Sequence, residues 1–171
     1  MHSRGFAPIA RADARLLILG SLPGRESLRR RQYYAQPHNS FWKIMGTLVD
    51  AGPERSYAER RARLVAARIA VWDVCAAAHR SGSLDSAIVA SSVVANDLRR
   101  FLARHPGIEL VCFNGAKAAA LYRRHVLEQL PEPLRALRLV VLPSTSPAYA
   151  ALRFEHKLAA WAEVLVGGRN H

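Results

Sequence analysis

A chain of 171 residues, half of them apolar, can bury one sizeable core and is too short for two ordinary domains, so a single domain over residues 1–171 is expected. Twenty-five Lys and Arg against 13 Asp and Glu give a formal charge of +12, which favours a polyanionic partner, nucleic acid first; the plainer source of that charge is an Ala- and Arg-rich composition with solvated helix faces, as at Arg60, Arg61 and Arg63. The apolar run at residues 16–19 is far shorter than a membrane span, so a cytoplasmic, membrane-free protein is expected, and two isolated cysteines, Cys75 and Cys112, argue against a cysteine-held zinc or iron–sulfur site.

In chain order, four strand-length apolar runs stand out, at residues 16–19, 69–74, 108–113 and 139–142, each bounded by turn or polar residues. Helical spacing fills the gaps between them. Phe41, Ile44, Met45 and Leu48 recur at three and four residues behind Asn39 or Ser40 as cap, with Gly52 as a stop. Further helices are predicted at about residues 57–67, 92–104, 116–130 and 155–166; in the second of these, Val93, Val94, Leu98, Phe101 and Leu102 make one face and Pro106-Gly107 ends it.

Strands alternating with helices predict parallel pairing through right-handed crossovers, hence an α/β fold: a three-layer α/β/α sandwich around a four-stranded parallel sheet. Ligands of such sheets bind beyond the carboxyl ends of the strands. The residues delivered there are Gly20-Ser21-Leu22-Pro23-Gly24, Asp73, Asn114-Gly115 and Pro143-Ser144-Thr145-Ser146-Pro147. Neither a P-loop nor a Rossmann glycine fingerprint follows the first strand, which leaves a nucleotide-binding α/β domain as a distant reading.

The segment Gly20–Gly24, with Tyr33-Tyr34 and Pro37-His38-Asn39-Ser40-Phe41-Trp42 behind it, resembles the first motif region of the uracil-DNA glycosylase superfamily. Trp72-Asp73-Val74, Gly82-Ser83-Leu84-Asp85-Ser86, Phe113-Asn114-Gly115 and Leu142-Pro143-Ser144-Thr145-Ser146-Pro147 resemble later landmarks of its hypoxanthine-DNA glycosylase branch, in the same order. The resemblance covers about residues 15–165 and implies an α/β/α fold and removal of a deaminated base, uracil or hypoxanthine, from DNA. It departs at Leu22, where the better-known uracil-excising branches carry an Asp or Asn that positions the attacking water; leucine offers water no polar atom. Either another residue has taken that role or the protein is a non-catalytic lesion- or abasic-site-binding module.

N-glycosidic hydrolysis must stabilise an oxocarbenium-like sugar and a departing base, and the base must first be flipped out of the duplex. By resemblance Phe41 is the ring on which the base stacks; its alternative is a place in the core. Tyr34 is the other pocket aromatic. Asn114 presents one acceptor and a donor group in a plane, matching N3–H and O4 of uracil or N1–H and O6 of hypoxanthine and rejecting cytosine; its alternative is a turn residue before Gly115. For the role vacated at Leu22 the candidates are Asn39, which the resemblance places in the motif and which also reads as an N-cap, and Asp73, as oxocarbenium stabiliser or general base. Asp85 reads as a loop cap.

Backbone amides around Gly20–Gly24, with the Ser21 hydroxyl, suit a phosphate or the departing base. The loop Ser144, Thr145, Ser146 suits DNA phosphates and by resemblance enters the minor groove, and Tyr149 or Leu152 is a candidate wedge into the vacated stack. Arg25, Arg29, Arg30 and Arg31, beside Gly24, are placed to follow the DNA backbone. Lys43, Lys117 and Lys157 sit in no lyase motif, so simple hydrolysis by a monomer, with no metal and no cofactor, is expected.

Overall fold

The structure, a computed structural model, describes residues 1–167. In chain order its elements are β1 (His2–Arg4), β2 (Leu16–Gly20), α1 (Arg25–Arg30), α2 (Phe41–Val49), α3 (Tyr57–Ala66), β3 (Ile69–Asp73) and β4 (Cys75–His79). Then follow β5 (Val94–Ala95), α4 (Leu98–Arg104), β6 (Leu110–Asn114), α5 (Ala116–His125), α6 (Glu132–Arg135), β7 (Arg138–Leu142) and α7 (Phe154–Gly167).

The four apolar runs form one parallel sheet in the order β3-β2-β6-β7. Its strands alternate between two cores, as side chains on successive residues must. Ile18 and Cys112 meet Phe41, Ile44, Met45, Leu64, Trp161 and Leu165 of α2, α3 and α7 on one face. Leu17, Leu19, Val111 and Phe113 meet Leu98, Phe101, Leu102 and Tyr122 of α4 and α5 on the other. Helices on both faces make the predicted three-layer α/β/α sandwich.

Registry then decides what reaches the working edge. Gly20 pairs with Asp73 across β2 and β3, and Asn114 with Leu142 across β6 and β7, so a glycine, a carboxylate and an amide end neighbouring strands together.

Several expectations need correction. The helix predicted over residues 92–104 begins only at Leu98: Asp97 caps it by accepting from the Arg100 amide, and the residues before it form a 3-10 turn and β5, leaving Val94 exposed. The helix expected to run to residue 130 ends at His125 and gives way to a 3-10 turn at Leu127–Gln129. A second, antiparallel sheet, β1-β4-β5, was not expected: Cys75–His79 is mostly alanine, which carries little strand signal. Of the arginine run at residues 25–31, Arg25, Arg29 and Arg30 lie on the short helix α1 and Arg31 is its left-handed C-cap.

Candidate active site

A cleft of about 530 Å³ opens at the carboxyl end of the parallel sheet, within the range of small-ligand sites. Its floor is Gly20. A side chain there would place its Cβ 2.5 Å from Asp73 Oδ1 and 2.8 Å from the Tyr34 hydroxyl, so only glycine allows those two groups to meet over the strand end. Tyr34 reaches this position from a left-handed backbone (φ 55°), a costly conformation for a tyrosine that its surroundings impose. Its neighbour Tyr33 is tied down on three sides, accepting at its carbonyl from the Trp42 indole and at its amide donating to the Tyr57 hydroxyl, while its own hydroxyl donates to the Ala7 carbonyl.

In this floor Asp73 Oδ2 is buried without a hydrogen-bond partner, and the Tyr34 hydroxyl is buried with the Asn114 side chain as its polar neighbour. Burial pushes the Asp73 carboxyl up to about 7, with the charge of Asp85 adding to the effect and Arg80 opposing it. Burial likewise raises the Tyr34 phenol, which stays a neutral donor.

On the next strand Asn114 is held rigidly. Its Nδ2 donates to Thr145 Oγ1 at 2.9 Å, and its Oδ1 accepts from the Thr145 amide at 2.9 Å. One N–H and one lone pair of the amide remain, fixed in orientation, as a reading group requires. Gly115, at φ 97°, makes the turn that follows, so the turn expected at this pair is present. Thr145 itself is only 1% exposed, its hydroxyl committed to Asn114 and its carbonyl accepting from the Ser40 amide. The expectation that it grips DNA is corrected: it ties the Asn114 amide to the start of α2. Ser144 and Ser146 accept from the Ser146 and Ala148 amides and so shape the loop.

Asn39 lines the cleft and accepts at Oδ1 from the Phe41 amide at 3.0 Å, which fixes its side chain at the head of α2 while leaving its Nδ2 and a second Oδ1 lone pair. Phe41 is the clearest correction. It is fully buried, stacked under Tyr34 at 4.1 Å between ring centroids and edge-on to Trp42 and Trp161, and does not line the cleft. The ring presented to the cleft is Tyr34, with Phe41 as its support.

Leu22 faces the core, and the turn it belongs to is held by a residue the sequence reading did not single out. Arg80, 2% exposed, donates from Nη1 to the Leu22 carbonyl at 3.3 Å and from Nη2 to the Pro23 carbonyl, and lies 3.8 Å from Asp85 Oδ1. Asp85 is therefore not a loop cap: its carboxylate looks onto the cleft between Arg80 and Ser21, whose hydroxyl hydrogen-bonds to it. A lone arginine after Ala76-Ala77-Ala78-His79 carries no pattern to separate it from the solvated arginines around it.

At the rim, the Arg25 amide already donates to the Ser83 hydroxyl, so that helix-start donor is taken. Arg29 and Arg30 share Glu26, at 2.5 and 2.7 Å, and hold its carboxyl down at about 2; Arg25 and Arg31 make no ion pair among the described residues. On the opposite lip Tyr149 is 41% exposed, with the buried ammonium of Lys157 5.4 Å from its ring centroid. Lys157 also donates to the Ser146 carbonyl. Leu152 lies outside the cleft lining, and none of the three lysines lines it. Among the described residues no cluster of three or more His, Cys, Asp and Glu is arranged to hold a metal, and no helix is long and apolar enough to cross a membrane.

A parallel α/β/α sandwich thus gathers a rigid amide, a buried carboxyl and a supported aromatic at its carboxyl edge. The comparisons with known proteins agree. The profile of the Uracil DNA glycosylase superfamily matches residues 7–165, and the chain belongs to that superfamily; it is a DNA glycosylase. It is 39% identical over 119 residues to a hypoxanthine DNA glycosylase of Methanosarcina acetivorans and 35% identical over 119 residues to one of Methanosarcina barkeri. Each match covers 69% of this chain and 74% of the relative. The solution NMR structure of a proposed uracil DNA glycosylase from Methanosarcina acetivorans superposes with a TM-score of 0.78 at 33% identity, over 96% of this chain and 97% of that one.

Proposed function

We propose that this glycosylase removes a deaminated base, hypoxanthine before uracil, from DNA by simple hydrolysis that leaves an abasic site. The observation that carries the reading is the Asn114 amide, fixed by two bonds to Thr145 at the edge of a cleft whose other walls are Tyr34, Asn39 and Asp73. A fixed amide accepts from N1–H and donates to O6 of hypoxanthine, whereas adenine reverses both positions, so intact adenine is rejected. The names of the two Methanosarcina relatives support the choice of hypoxanthine.

In this reading the base is flipped into the cleft and packs against Tyr34. Asn39 takes the role vacated at Leu22: its bond to the Phe41 amide orients the side chain, and its remaining Oδ1 lone pair accepts a hydrogen bond from the attacking water, whose proton goes to solvent. Arg25 and Arg31, the uncompensated members of the run beside Gly24, follow the backbone, with Ser144, Ser146 and Tyr149 on the opposite lip. The protein works as a single domain, as a monomer in the cytoplasm.

The test is excess protein with matched oligonucleotides carrying one hypoxanthine, uracil, xanthine or mismatched thymine, with abasic sites revealed by alkali. Strand breaks at hypoxanthine, faster than at uracil and untrapped by borohydride, are expected. Intact strands at every deaminated base overturn the reading.

A further inference from the structure

The cleft holds two carboxyls that burial raises above the ordinary range, and they differ in their partners. Asp73 is 4% exposed, its Oδ2 has no partner, and it makes no ion pair among the described residues, Arg80 acting on it only through its charge. Asp85 opens to the cleft, its side chain 40% exposed, and is paired with Arg80 and with the Ser21 hydroxyl. The guanidinium between them spends its bonds on the Leu22 and Pro23 carbonyls. Unlike environments at neighbouring carboxyls divide their protonation, one kept as the acid and the other as the anion.

The sheet order adds direction. Asn114 ends β6 and Asp73 ends β3, with β2 between them, a separation of about 10 Å from strand to strand. A base whose Watson–Crick edge is held by Asn114 turns its opposite edge toward the β3 side. In a purine that edge is the imidazole ring, with the acceptor N7; a pyrimidine has neither the ring nor the reach.

We propose that Asp73 is a general acid that protonates N7 of a bound purine as its glycosidic bond breaks, and that Asp85, beside Arg80 on the same cleft, is a positioning residue for that acid. The inference rests on the purine-excising reading above. As C1′–N9 breaks, its electron pair passes to the purine and the Asp73 proton to N7, so the base leaves neutral. Water adds to C1′ and releases a proton to solvent, from which the Asp73 carboxylate regains its own. A neutral leaving purine is far better than its anion; uracil, which has no N7, takes no such help.

The groups that bear on Asp73 are Asp85 and Arg80 from the segment after β4, Tyr33 and Tyr34 from the loop before α2, and Cys75 at the head of β4; Lys117 of α5 acts on Asp85. Of these Asp85 is the charge that favours the acid. Its removal therefore lowers the pH at which Asp73 ionises.

The experiment is single-turnover excision across pH by the whole protein, on DNA carrying one hypoxanthine or one uracil, with abasic-DNA binding as the control for folding. On hypoxanthine the rate should fall above about pH 7. Asp73→Asn should cost about 100-fold on hypoxanthine and much less on uracil. Asp85→Asn should move the alkaline fall to lower pH by about half a pH unit, and Asp85→Glu should restore it. In parallel, a carbon-13 carboxyl titration of Asp73 should show a midpoint near 7 in the wild type. An Asp73→Asn variant as fast as wild type, an unmoved limb in folded Asp85→Asn, or an Asp73 midpoint below about 5 overturns the inference. A wild-type protein that leaves hypoxanthine in place overturns the functional reading instead.

Discussion

The two loops that face each other across the cleft are each pinned by a buried cation from outside the loop, and the pins differ in one respect. Arg80 holds the turn at Leu22-Pro23 through two carbonyls and has a carboxylate, Asp85, beside it, with Asp73 acting from farther off. Lys157 holds the Ser146–Tyr149 loop through one carbonyl and an aromatic ring, with no carboxylate partner among the described residues, and burial pulls its ammonium below the ordinary range. A cation tied to acids couples its loop to the chemistry of the site; a cation tied only to a carbonyl and a ring sets the shape of a clamp.

That difference predicts unequal losses. Arg80→Met orphans two carbonyls and leaves Asp85 unbalanced, so it should cost about 3 kcal/mol of stability by urea denaturation and abolish excision. A stability unchanged within error would sever the link between this pin and the fold.

Asp73→Asn should have a sign that depends on pH. The folded-state value of about 7 lies above the ordinary carboxylate value of 3.8, so the folded protein keeps a proton that the unfolded chain gives up between them. Wild-type stability should be fully supported below that interval and decline as pH rises through it. The asparagine variant should lack this decline and melt above wild type at pH 8, a trade of stability for function. Parallel melting curves from pH 4 to 8 would contradict it.

Lys157→Met should leave stability within about 1 kcal/mol, because the methionine fills the same buried space and only one carbonyl bond is lost. It should weaken DNA binding by about fivefold while the saturated single-turnover rate stays close to wild type. An equal loss in rate would place this loop in the chemistry as well.

The smallest effects lie in the arginine run. Arg29 and Arg30 share Glu26, so neutralising either should change the salt dependence of binding less than neutralising Arg25 or Arg31, each of which should lower the slope by about one counterion. Equal slopes for all four would mean that Glu26 turns away when DNA binds.

The parallel sheet and its polar edge were legible because four predominantly apolar runs are buried best between two helical layers, and strand ends there must carry turn residues. Asn114 and Asp73, which line one cleft, were therefore found from strand order, and Asn39 and Tyr34, which line it too, from the motif resemblance. Phe41 was not placed correctly, because an aromatic at a helix start has the same spacing whether it faces a cavity or lies under another ring, and the left-handed turn at Tyr34 decides which. The roles of Thr145, Arg80 and Lys157 escaped for a shared reason: each acts through hydrogen bonds to partners 11 to 105 residues away, which composition and periodicity do not encode. The sheet β1-β4-β5 was hidden by alanines whose burial, rather than propensity, makes them a strand.

The most direct test of the account is the single-turnover rate of hypoxanthine release from duplex DNA by the wild-type protein and by Asn39→Ala under saturating protein. The account predicts release by the wild type, a loss of about 100-fold or more in the variant, and unchanged affinity for abasic DNA. Equal rates for the two would remove Asn39 from the water-positioning role, and a wild type that binds without releasing the base would contradict the proposed chemistry altogether.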